Sequence, residues 1–415
     1  MFKLLYNLFV FIYPQLIGFT SLWNAKAKQW EVGRRDIFSR LSESFQHNNH
    51  KIIWMHCASL GEFEQGRPVL EALKKKYPSY KILLTFFSPS GYENKKNYDG
   101  ADFIYYLPMD SAKNANQFLD IVKPSLVIFV KYEFWFHYLM EAKRRNIDTV
   151  LVSAIFFKQH IFFKWYGVLH RQMLDCFKVI FLQNEDSLKL LKSILPKSEL
   201  VIAGDTRFDR VISIISNKLI INEIADFSVN NNLIVAGSTW SNDDIILSDM
   251  ANNDKKLKFI VAPHDISESR IAECSRLYQD AQLYSEWKSK PNLTTRVIII
   301  DNIGLLSSLY QYATICFIGG GFDKEGIHNL LEAAVYSKPV IFGPVYSKYE
   351  EAKEIIKEEG GYSVDNLKNI ELLVHKLIND PDFYSKTAER AGKFVLNHAG
   401  STQIIIKKLE TFSLN

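Results

Sequence analysis

The chain contains 415 residues, which exceeds the length over which one hydrophobic core keeps growing, so two domains are expected. Apolar residues make up 47% of the sequence and charged residues 23%, as in an ordinary folded globular protein. The net charge of +4 is too small to indicate a nucleic-acid partner, and none is predicted.

The first element is a stretch without charged residues, from residue 4 to 25. Its length is close to the ~20 residues that cross a bilayer as a helix, although it contains Asn7, Pro14, Gln15 and Gly18. We predict that residues 1–25 form a membrane-associated or anchor helix, which either spans the bilayer or lies in its interface. A helix packed on its own domain and a cleaved signal peptide are the alternatives.

Basic residues follow this stretch, among them Lys26, Lys28, Arg34 and Arg35. If the stretch spans, this positive flank keeps the body of the protein in the cytoplasm. If the stretch lies in the interface, the cations meet anionic lipid. A solvated basic face is the simpler alternative.

The cysteines are scattered without any CxxC spacing, at positions 57, 176, 274 and 316. They are interpreted as small core residues of a protein in a reducing compartment. Their spacing offers no metal site, and no metal or cofactor is predicted.

From residue 50 onward, short β-rich runs alternate with helical patterns, which indicates parallel sheets covered by helices. Two sets of runs are visible: 51–59, 81–87, 102–107, 126–133, 149–156, 179–184 and 200–204, then 233–239, 258–264, 296–301, 314–320 and 339–344. We predict a Rossmann-like domain over residues 26–215, a second over 230–398, and a C-terminal helix over 399–415. The Asn-rich segment before Leu233 is the candidate linker.

In parallel sheets, ligands bind beyond the carboxyl ends of the strands, so the loops there are searched first. Glu62 follows the run 51–59 and stands near a helix start, where the helix dipole favours a carboxylate that can accept a proton. Spacing alone favours the alternative that Glu62 caps the helix after Ser59.

Two further loops are candidates for binding phosphate. Gly319, Gly320 and Gly321 end a strand and precede a helix, where glycines let the backbone approach a phosphate, although a tight turn is an equally simple reading. Ser238 and Thr239 end the first strand of the second domain and are also typical of a capped helix start.

The segment at the domain junction contains Arg207, whose planar guanidinium suits a carboxylate or phosphate. A structural pair with Asp209 is the alternative. Asp243 and Asp244 are adjacent, which is typical of the first turn of a helix and unlike a shared cation site.

Together these segments resemble the Kdo transferase family, which transfers 3-deoxy-manno-octulosonic acid (Kdo). The resemblance is carried by WMHCASLGE (54–62), LLTFFSPSGYE (83–93), KYEFW (131–135), GDTRFD (204–209), AGSTW (236–240), HNLLEAA (328–334) and PVIFGP (339–344). It implies an α/β protein of GT-B type, with two Rossmann-like domains facing a central cleft and an N-terminal membrane-associated helix.

The resemblance also implies the reaction: inverting, metal-independent transfer of Kdo from CMP-Kdo to the lipid A precursor lipid IVA. The partners would be this donor, this acceptor and inner-membrane lipids, at the cytoplasmic face of the inner membrane. Another GT-B glycosyltransferase, a UDP-sugar epimerase and a non-catalytic carbohydrate-binding membrane protein are the alternatives.

By the same resemblance, Glu62 is the general base. The acceptor side comprises Ser59, Gly61, Ser88, Ser90, Gly91, Arg34 and Arg35. The donor side comprises Arg207, Ser238, Thr239, His264, Gly320, Gly321, His328, Asn329 and Glu332. The sequence departs from the family at Pro263, where many members have arginine, and at Asp323-Lys324-Glu325, where more basic versions are common.

Overall fold

The structure is a computed structural model that describes residues 2–216, 218–292 and 294–412. Its contacts divide the chain into two compact units. The first comprises the chain up to Arg210 together with the segment that begins at Ala399, and the second is Val211–His398.

The first unit is built on a sheet of seven parallel strands. In chain order they are β1 (Ile52–Cys57), β2 (Lys81–Phe86), β3 (Phe103–Tyr106), β4 (Pro124–Val130), β5 (Asp148–Ala154), β6 (Val179–Leu182) and β7 (Glu199–Ile202). Their order in the sheet is β3-β2-β1-β4-β5-β6-β7. The chain therefore reverses direction across the sheet between β1 and β4, and such a switch point is where ligands bind in open α/β sheets.

Helices cover both faces of this sheet. They are α1 (Phe2–Thr20), α2 (Ala25–Gly33), α3 (Ile37–Phe45), α4 (Leu60–Lys76), α5 (Pro89–Lys95), α6 (Ala112–Val122), α7 (Phe136–Arg144), α8 (Val168–Leu174), α9 (Glu185–Lys192) and α20 (Ser401–Leu409), with a 3-10 helix at Ile161–Phe163. α10 (Thr206–Ser216) contains the division between the units. Alternate residues of β1 enter opposite cores, Trp54 on one face and Met55 on the other, as the two-residue period of a strand requires.

The second unit has the same architecture. Its parallel strands are β8 (Asn232–Thr239), β9 (Leu257–Pro263), β10 (Gln282–Leu283), β11 (Val297–Ile299), β12 (Ile315–Ile318), β13 (Val340–Phe342) and β14 (Gly361–Ser363), in the order β10-β11-β9-β8-β12-β13-β14. Its helices are α11 (Asn222–Ser228), α12 (Ser241–Asn253), α13 (Glu268–Leu277), α14 (Tyr284–Trp287), α15 (Leu306–Leu309), α16 (Leu331–Ala334), α17 (Glu350–Lys357), α18 (Leu367–Asn379) and α19 (Pro381–Asn397), with a 3-10 helix at Tyr310–Tyr312. The switch point lies between β8 and β12.

The prediction of an α/β fold with two parallel sheets is confirmed. Every predicted run contains a strand, because strands buried on both faces need near-continuous apolar residues. The edge strands β10 and β14 were not predicted, since they are two and three residues long. The four cysteines are buried free thiols, as predicted.

Helix α1 packs on the first unit along one face only. Tyr6, Val10, Tyr13 and Ile17 share that face at helical spacing and contact the core. The opposite face exposes large apolar side chains: Leu4, Leu5, Leu8, Phe9, Phe11, Ile12, Leu16 and Phe19. α1 is long and apolar enough to cross a membrane, and very little of it is buried in the protein.

Polar bonds fix the inner face of α1. The Tyr6 hydroxyl donates to Asp110 Oδ2 at 2.5 Å and accepts from the amide of Phe136 at 3.2 Å, and Asn7 Oδ1 lies 2.8 Å from Nε2 of His137. Asp110 is almost fully buried, and this burial raises its pKa to about 6 although the amides of His137 and Tyr138 also donate to it. α1 is thus attached to the unit through a buried carboxyl group.

The variant Tyr6→Phe tests this attachment. It removes one donor from the buried Asp110, so we expect the free energy of unfolding to fall by ~1–3 kcal/mol, measured by urea denaturation. Tyr13→Phe is the control, because its ring contacts with Trp30 and Phe87 survive the loss of the hydroxyl. Equal stability of the two variants would contradict the assigned bond.

Candidate active site

Glu62 lies in the first turn of α4, directly after the central strand β1. Ser59 is the N-cap residue of this helix, and its hydroxyl donates to a carboxylate oxygen of Glu62. Among the described residues, no helix amide donates to the Ser59 side chain as a capping box would require. The half-buried Glu62 carboxylate is therefore oriented by a hydroxyl, and its catalytic role stays a prediction.

Gly61 is exposed beside this carboxylate. A Cβ atom added there would meet Ser59 Oγ at 3.8 Å, which is ordinary van der Waals contact. Internal packing therefore does not demand glycine at this position. A glycine does, however, leave the backbone next to Glu62 open to close approach by a ligand.

Glu64 stands two residues further along α4 and has different surroundings. Arg210 Nε lies 2.8 Å from its carboxylate, Lys95 Nζ 3.2 Å and Arg67 Nη1 4.0 Å. Burial raises the pKa of Glu64, but the bond and charge of Arg210, aided by the other two cations, outweigh burial and lower it. Glu64 is thus held in its ionised form by cations, whereas the carboxylate of Glu62 bonds to a neutral hydroxyl.

Glu133 was not singled out from the sequence, although it lies in the KYEFW segment. It follows β4, across the switch point from Glu62, and Oε2 is 3.2 Å from Nε2 of the buried His56. The indole nitrogen of Trp135 is 3.1 Å from the same His56 atom. Glu133 also lines a cavity of about 360 Å³ beside Tyr132 and His160. The signal that could have found Glu133 is its place after the strand adjacent to β1.

Arg207 lies near the same edge of the first unit. Its guanidinium binds Asp205 through Nε at 2.8 Å and Nη2 at 2.7 Å, whereas the sequence suggested Asp209 as the alternative structural partner. Asp209 instead accepts the amides of Gly400 and Thr402, both at 2.6 Å. Burial raises the pKa of Tyr132 to about 12, the charge of Arg207 opposes this shift and the charge of Glu62 adds to it.

The loop that follows β2 is joined to the loop that carries Glu62. The amide of Ser88 donates to the carbonyl of Ala58 at 2.8 Å, and the Ser88 and Ser90 hydroxyls lie 2.8 Å apart. A Cβ at Gly91 would stand 2.2 Å from the Phe86 ring, so glycine is required there by packing. The structure thus brings the predicted acceptor residues of this loop next to those of α4.

The two predicted acceptor arginines differ in environment. Arg34 donates to the carbonyls of Leu107 at 2.9 Å, Phe87 at 2.7 Å and Trp30 at 3.2 Å, so its guanidinium holds loops together. Arg35 is 65% exposed and pairs with Glu31 at 3.2 Å. Arg35 is therefore the more accessible of the two for a phosphate, and the acceptor role of both stays a prediction.

In the second unit, the glycine-rich loop after β12 is fastened to the start of α12 by the buried Asp243. Its carboxylate accepts the amides of Gly320 at 2.6 Å, Trp240 at 2.9 Å and Phe322 at 3.3 Å. The amide of Gly320, which was expected to meet a phosphate, is therefore already bonded within the protein. A Cβ at Gly321 would lie 2.4 Å from the Gly343 backbone, so this glycine serves close packing.

Ser238 and Thr239 end β8 and point in different directions. Ser238 has a left-handed backbone with φ of 56°, a conformation that costs ~1–3 kcal/mol in a non-glycine residue and often occurs at binding sites. Thr239 is buried, and its hydroxyl donates to Asp244 at 3.0 Å, where Arg270 and Tyr278 also bind. Asp243 and Asp244 belong to the first turn of α12, as predicted.

Three aromatic rings stack at this switch point. The centroids of Trp240 and His264 are 4.9 Å apart and those of His264 and His328 are 4.3 Å apart, with 20° between planes in both pairs. The Trp240 indole N–H donates to Nε2 of His328 at 2.8 Å, which leaves the proton of the neutral imidazole on Nδ1. Burial, followed by the nearby His264, lowers the pKa of His328 to about 4.

Asn329 and Glu332 follow at the start of α16. The Asn329 side-chain amide donates to Glu332 Oε1 at 3.1 Å, and its oxygen accepts the amide of Leu331 at 3.2 Å. Together, His264, His328 and the glycine-rich loop lie at the switch point of the second sheet. Arg207, the remaining predicted donor residue, belongs to the first unit.

The ring stack can be tested by titration of His328. We expect the imidazole to titrate near pH 4 in NMR spectra, and Trp240→Phe to raise this pKa, because the lost N–H bond favoured the neutral ring. Since the unfolded chain takes up the proton first, the free energy of unfolding should fall as pH drops from ~6.5 towards 4. His328→Gln should remove that part of the pH dependence. A wild-type pKa near 6.5 would contradict the stack.

Known proteins with similar sequences fit this geometry. The family described as 3-deoxy-D-manno-octulosonic-acid transferase (kdotransferase) matches residues 35–210. A 3-deoxy-D-manno-octulosonic acid transferase of Aquifex aeolicus is 30% identical over 76% of this chain and 82% of its own length. A bifunctional glycosyltransferase/methyltransferase of Fusobacterium nucleatum is 28% identical over 83% of this chain, which spans 55% of that relative.

Among solved structures, a UDP-GlcNAc 2-epimerase from Neisseria meningitidis bound to UDP-GlcNAc is similar, with a TM-score of 0.61 and 17% identity. The likeness covers 87% of this chain and all of that one, and at this identity it concerns the fold alone. The two-sheet α/β fold of this chain is consistent with the family that its sequence relatives indicate. The chain belongs to the 3-deoxy-D-manno-octulosonic acid transferase family, the Kdo glycosyltransferases of lipopolysaccharide biosynthesis with the GT-B fold.

Proposed function

We propose that this protein transfers Kdo from CMP-Kdo to the lipid A precursor lipid IVA, with Glu62 as the general base. The observation that carries the proposal is the position of Glu62 at the switch point of the first sheet, partly exposed and bonded to a hydroxyl. The relatives named above as Kdo transferases support the transferred sugar. A carboxylate in this setting accepts a proton from an attacking hydroxyl.

The reaction is a single displacement. A hydroxyl of the acceptor sugar gives its proton to Glu62 while its oxygen forms a bond to the anomeric carbon of Kdo. The bond from that carbon to the phosphate oxygen breaks, and CMP leaves with the electron pair. Because the nucleophile enters opposite the leaving group, the configuration at the anomeric carbon inverts. Ser59, which donates to Glu62, orients the carboxylate before the proton moves.

We propose that CMP departs without a metal ion. The carboxylates of Asp243 and Asp244 already accept several protein donors each, so neither is available to a cation. The leaving group contains a single phosphate, and the negative charge that develops on it can be stabilised by fixed dipoles and hydrogen-bond donors. Ser238 at the end of β8 and the Nδ1–H of neutral His328 are our candidates for these donors.

The proposed place of action is the cytoplasmic face of the inner membrane. α1 is fixed to the protein through Tyr6 and Asn7 on one face and exposes an apolar surface on the other. That arrangement favours a helix lying in the membrane interface, with Lys26 and Lys28 near anionic headgroups. The acceptor would then meet the active site at the membrane surface.

The first test compares Glu62→Gln with Glu64→Gln. We expect Glu62→Gln to fold normally and to lower kcat for Kdo transfer by at least ~100-fold, because the base is lost. Glu64→Gln should keep most turnover but lose stability, since three cations lose their partner. The measurement is mass spectrometry of the product from CMP-Kdo and lipid IVA, with chelator present. Full activity of Glu62→Gln would refute its role.

The second test concerns the nucleotide. CMP should inhibit competitively against CMP-Kdo, whereas UDP should have little effect at the same concentration. This comparison matters because a UDP-GlcNAc 2-epimerase has a similar fold. Inhibition selective for UDP, or epimerisation of UDP-GlcNAc, would replace the proposal by a UDP-sugar enzyme. Tight CMP-Kdo binding without transfer would favour a carbohydrate-binding protein.

A further inference from the structure

A cavity of about 350 Å³ lies in the first unit between α1, α2 and the loop after β2. Its walls are mainly apolar and aromatic: Tyr13, Ile17, Trp23, Trp30 and Phe87. Polar atoms occur at Thr20, Asn24, Lys26 and Ser88. Such a cavity has the size and composition of a ligand site with an apolar interior and a few polar groups.

One wall of this cavity is continuous with the candidate active site. Phe87 and Ser88 belong to the loop whose Ser88 amide donates to the carbonyl of Ala58 at 2.8 Å, immediately before Ser59. A ligand group against this wall therefore lies one loop away from Glu62.

The same wall is held rigid by Arg34. Its guanidinium bonds to the carbonyl of Phe87 at 2.7 Å and stacks 3.9 Å from the Trp30 ring. The Phe87 ring packs against Trp135 at 4.6 Å between centroids. The cavity is therefore a built feature of the unit and does not depend on one flexible side chain.

The opposite wall borders the exposed apolar surface of α1. Trp23 is 65% exposed and Phe19 64% exposed, and their rings pack edge to face at 4.8 Å. Lys26, whose side chain is exposed, is also a lining residue of the cavity. An apolar lining that also includes a lysine and the Ser88 loop suits a molecule with a long apolar tail and an anionic, hydroxylated head.

We propose that this cavity binds one acyl chain of the lipid acceptor. The inference rests on the proposed function and deepens it, because it assigns a subsite for the acceptor's tail. With the chain between α1, α2 and Phe87, the headgroup stands at Ser88, Ser59 and Glu62, and Lys26 meets its phosphate. Each methylene taken from water into apolar contact contributes favourably to binding, so the tail positions the sugar.

The test fills the cavity with a side chain. Ala27→Phe projects a ring from α2 into the cavity, and its backbone amide keeps its bond to Asn24. Ala25→Phe is the matched control, an exposed alanine on the same helix outside the cavity lining. In detergent micelles, we expect Ala27→Phe to raise KM for lipid IVA roughly tenfold or more, because about two methylenes of the acyl chain lose their apolar contact. Ala25→Phe should leave KM unchanged.

Deacylated lipid IVA makes it possible to test the acyl-chain subsite separately from the transfer reaction. Wild type and both variants should use this water-soluble acceptor at equal rates, because it has no chain to displace. Equal KM of Ala27→Phe and Ala25→Phe for lipid IVA would overturn the acyl subsite while transfer itself stands. If the wild type transferred Kdo to neither acceptor, the proposed function itself would be overturned.

Two further measurements guard the conclusion. Ile17→Trp fills the same cavity from α1 and should reproduce the KM increase, so misfolding of a single variant cannot decide the question. Sedimentation with phosphatidylethanolamine and phosphatidylglycerol vesicles should show equal binding by Ala27→Phe and Ala25→Phe. Weaker vesicle binding by Ala27→Phe would overturn the proposal and assign the cavity to bulk phospholipid.

Discussion

In both units the first strand stands in the middle of a parallel sheet, and the chain departs from it in two opposite directions. Parallel strands end at the same edge, so the loops after the first strand and after its later neighbour must meet there. Glu62 and Glu133 both stand at this edge, after the adjacent strands β1 and β4. Trp240 and the glycine loop meet in the same way after β8 and β12.

Two buried carboxyl groups attach separate segments to the two units, one in each unit. Asp243 joins the glycine loop to α12 through three amides, and Asp110 joins α1 to the body through Tyr6. Burial raises the pKa of both, so each bond is made at a cost in desolvation that its several donors offset. Asp243 and Asp110 are not proposed to contact the substrate, but their hydrogen bonds fix the positions of segments that are.

The sequence was sufficient for the strands buried on both faces, because burial requires apolar runs, but not for the short edge strands β10 and β14. It was also sufficient to place Glu62, because a residue between a strand and a helix start has few possible positions. It could not show that Asp243 bonds to Gly320, since 77 residues separate them and either could have bonded elsewhere. The partner of Arg207 was missed for a related reason: Asp205 and Asp209 flank it, and only the backbone path decides between them.

The last helix has a consequence for how the protein is made. α20 returns to the first unit, where Ile405 and Leu409 are fully buried in the core that also contains α4. The carboxylate of Asp209 accepts the amides of Gly400 and Thr402 at the start of α20. Asp209 therefore gains these partners only after residues 400 and 402 have been synthesised. The core beneath Glu62 is therefore completed by a segment that follows the whole second unit in the sequence, so the first unit cannot finish folding before the second has been synthesised.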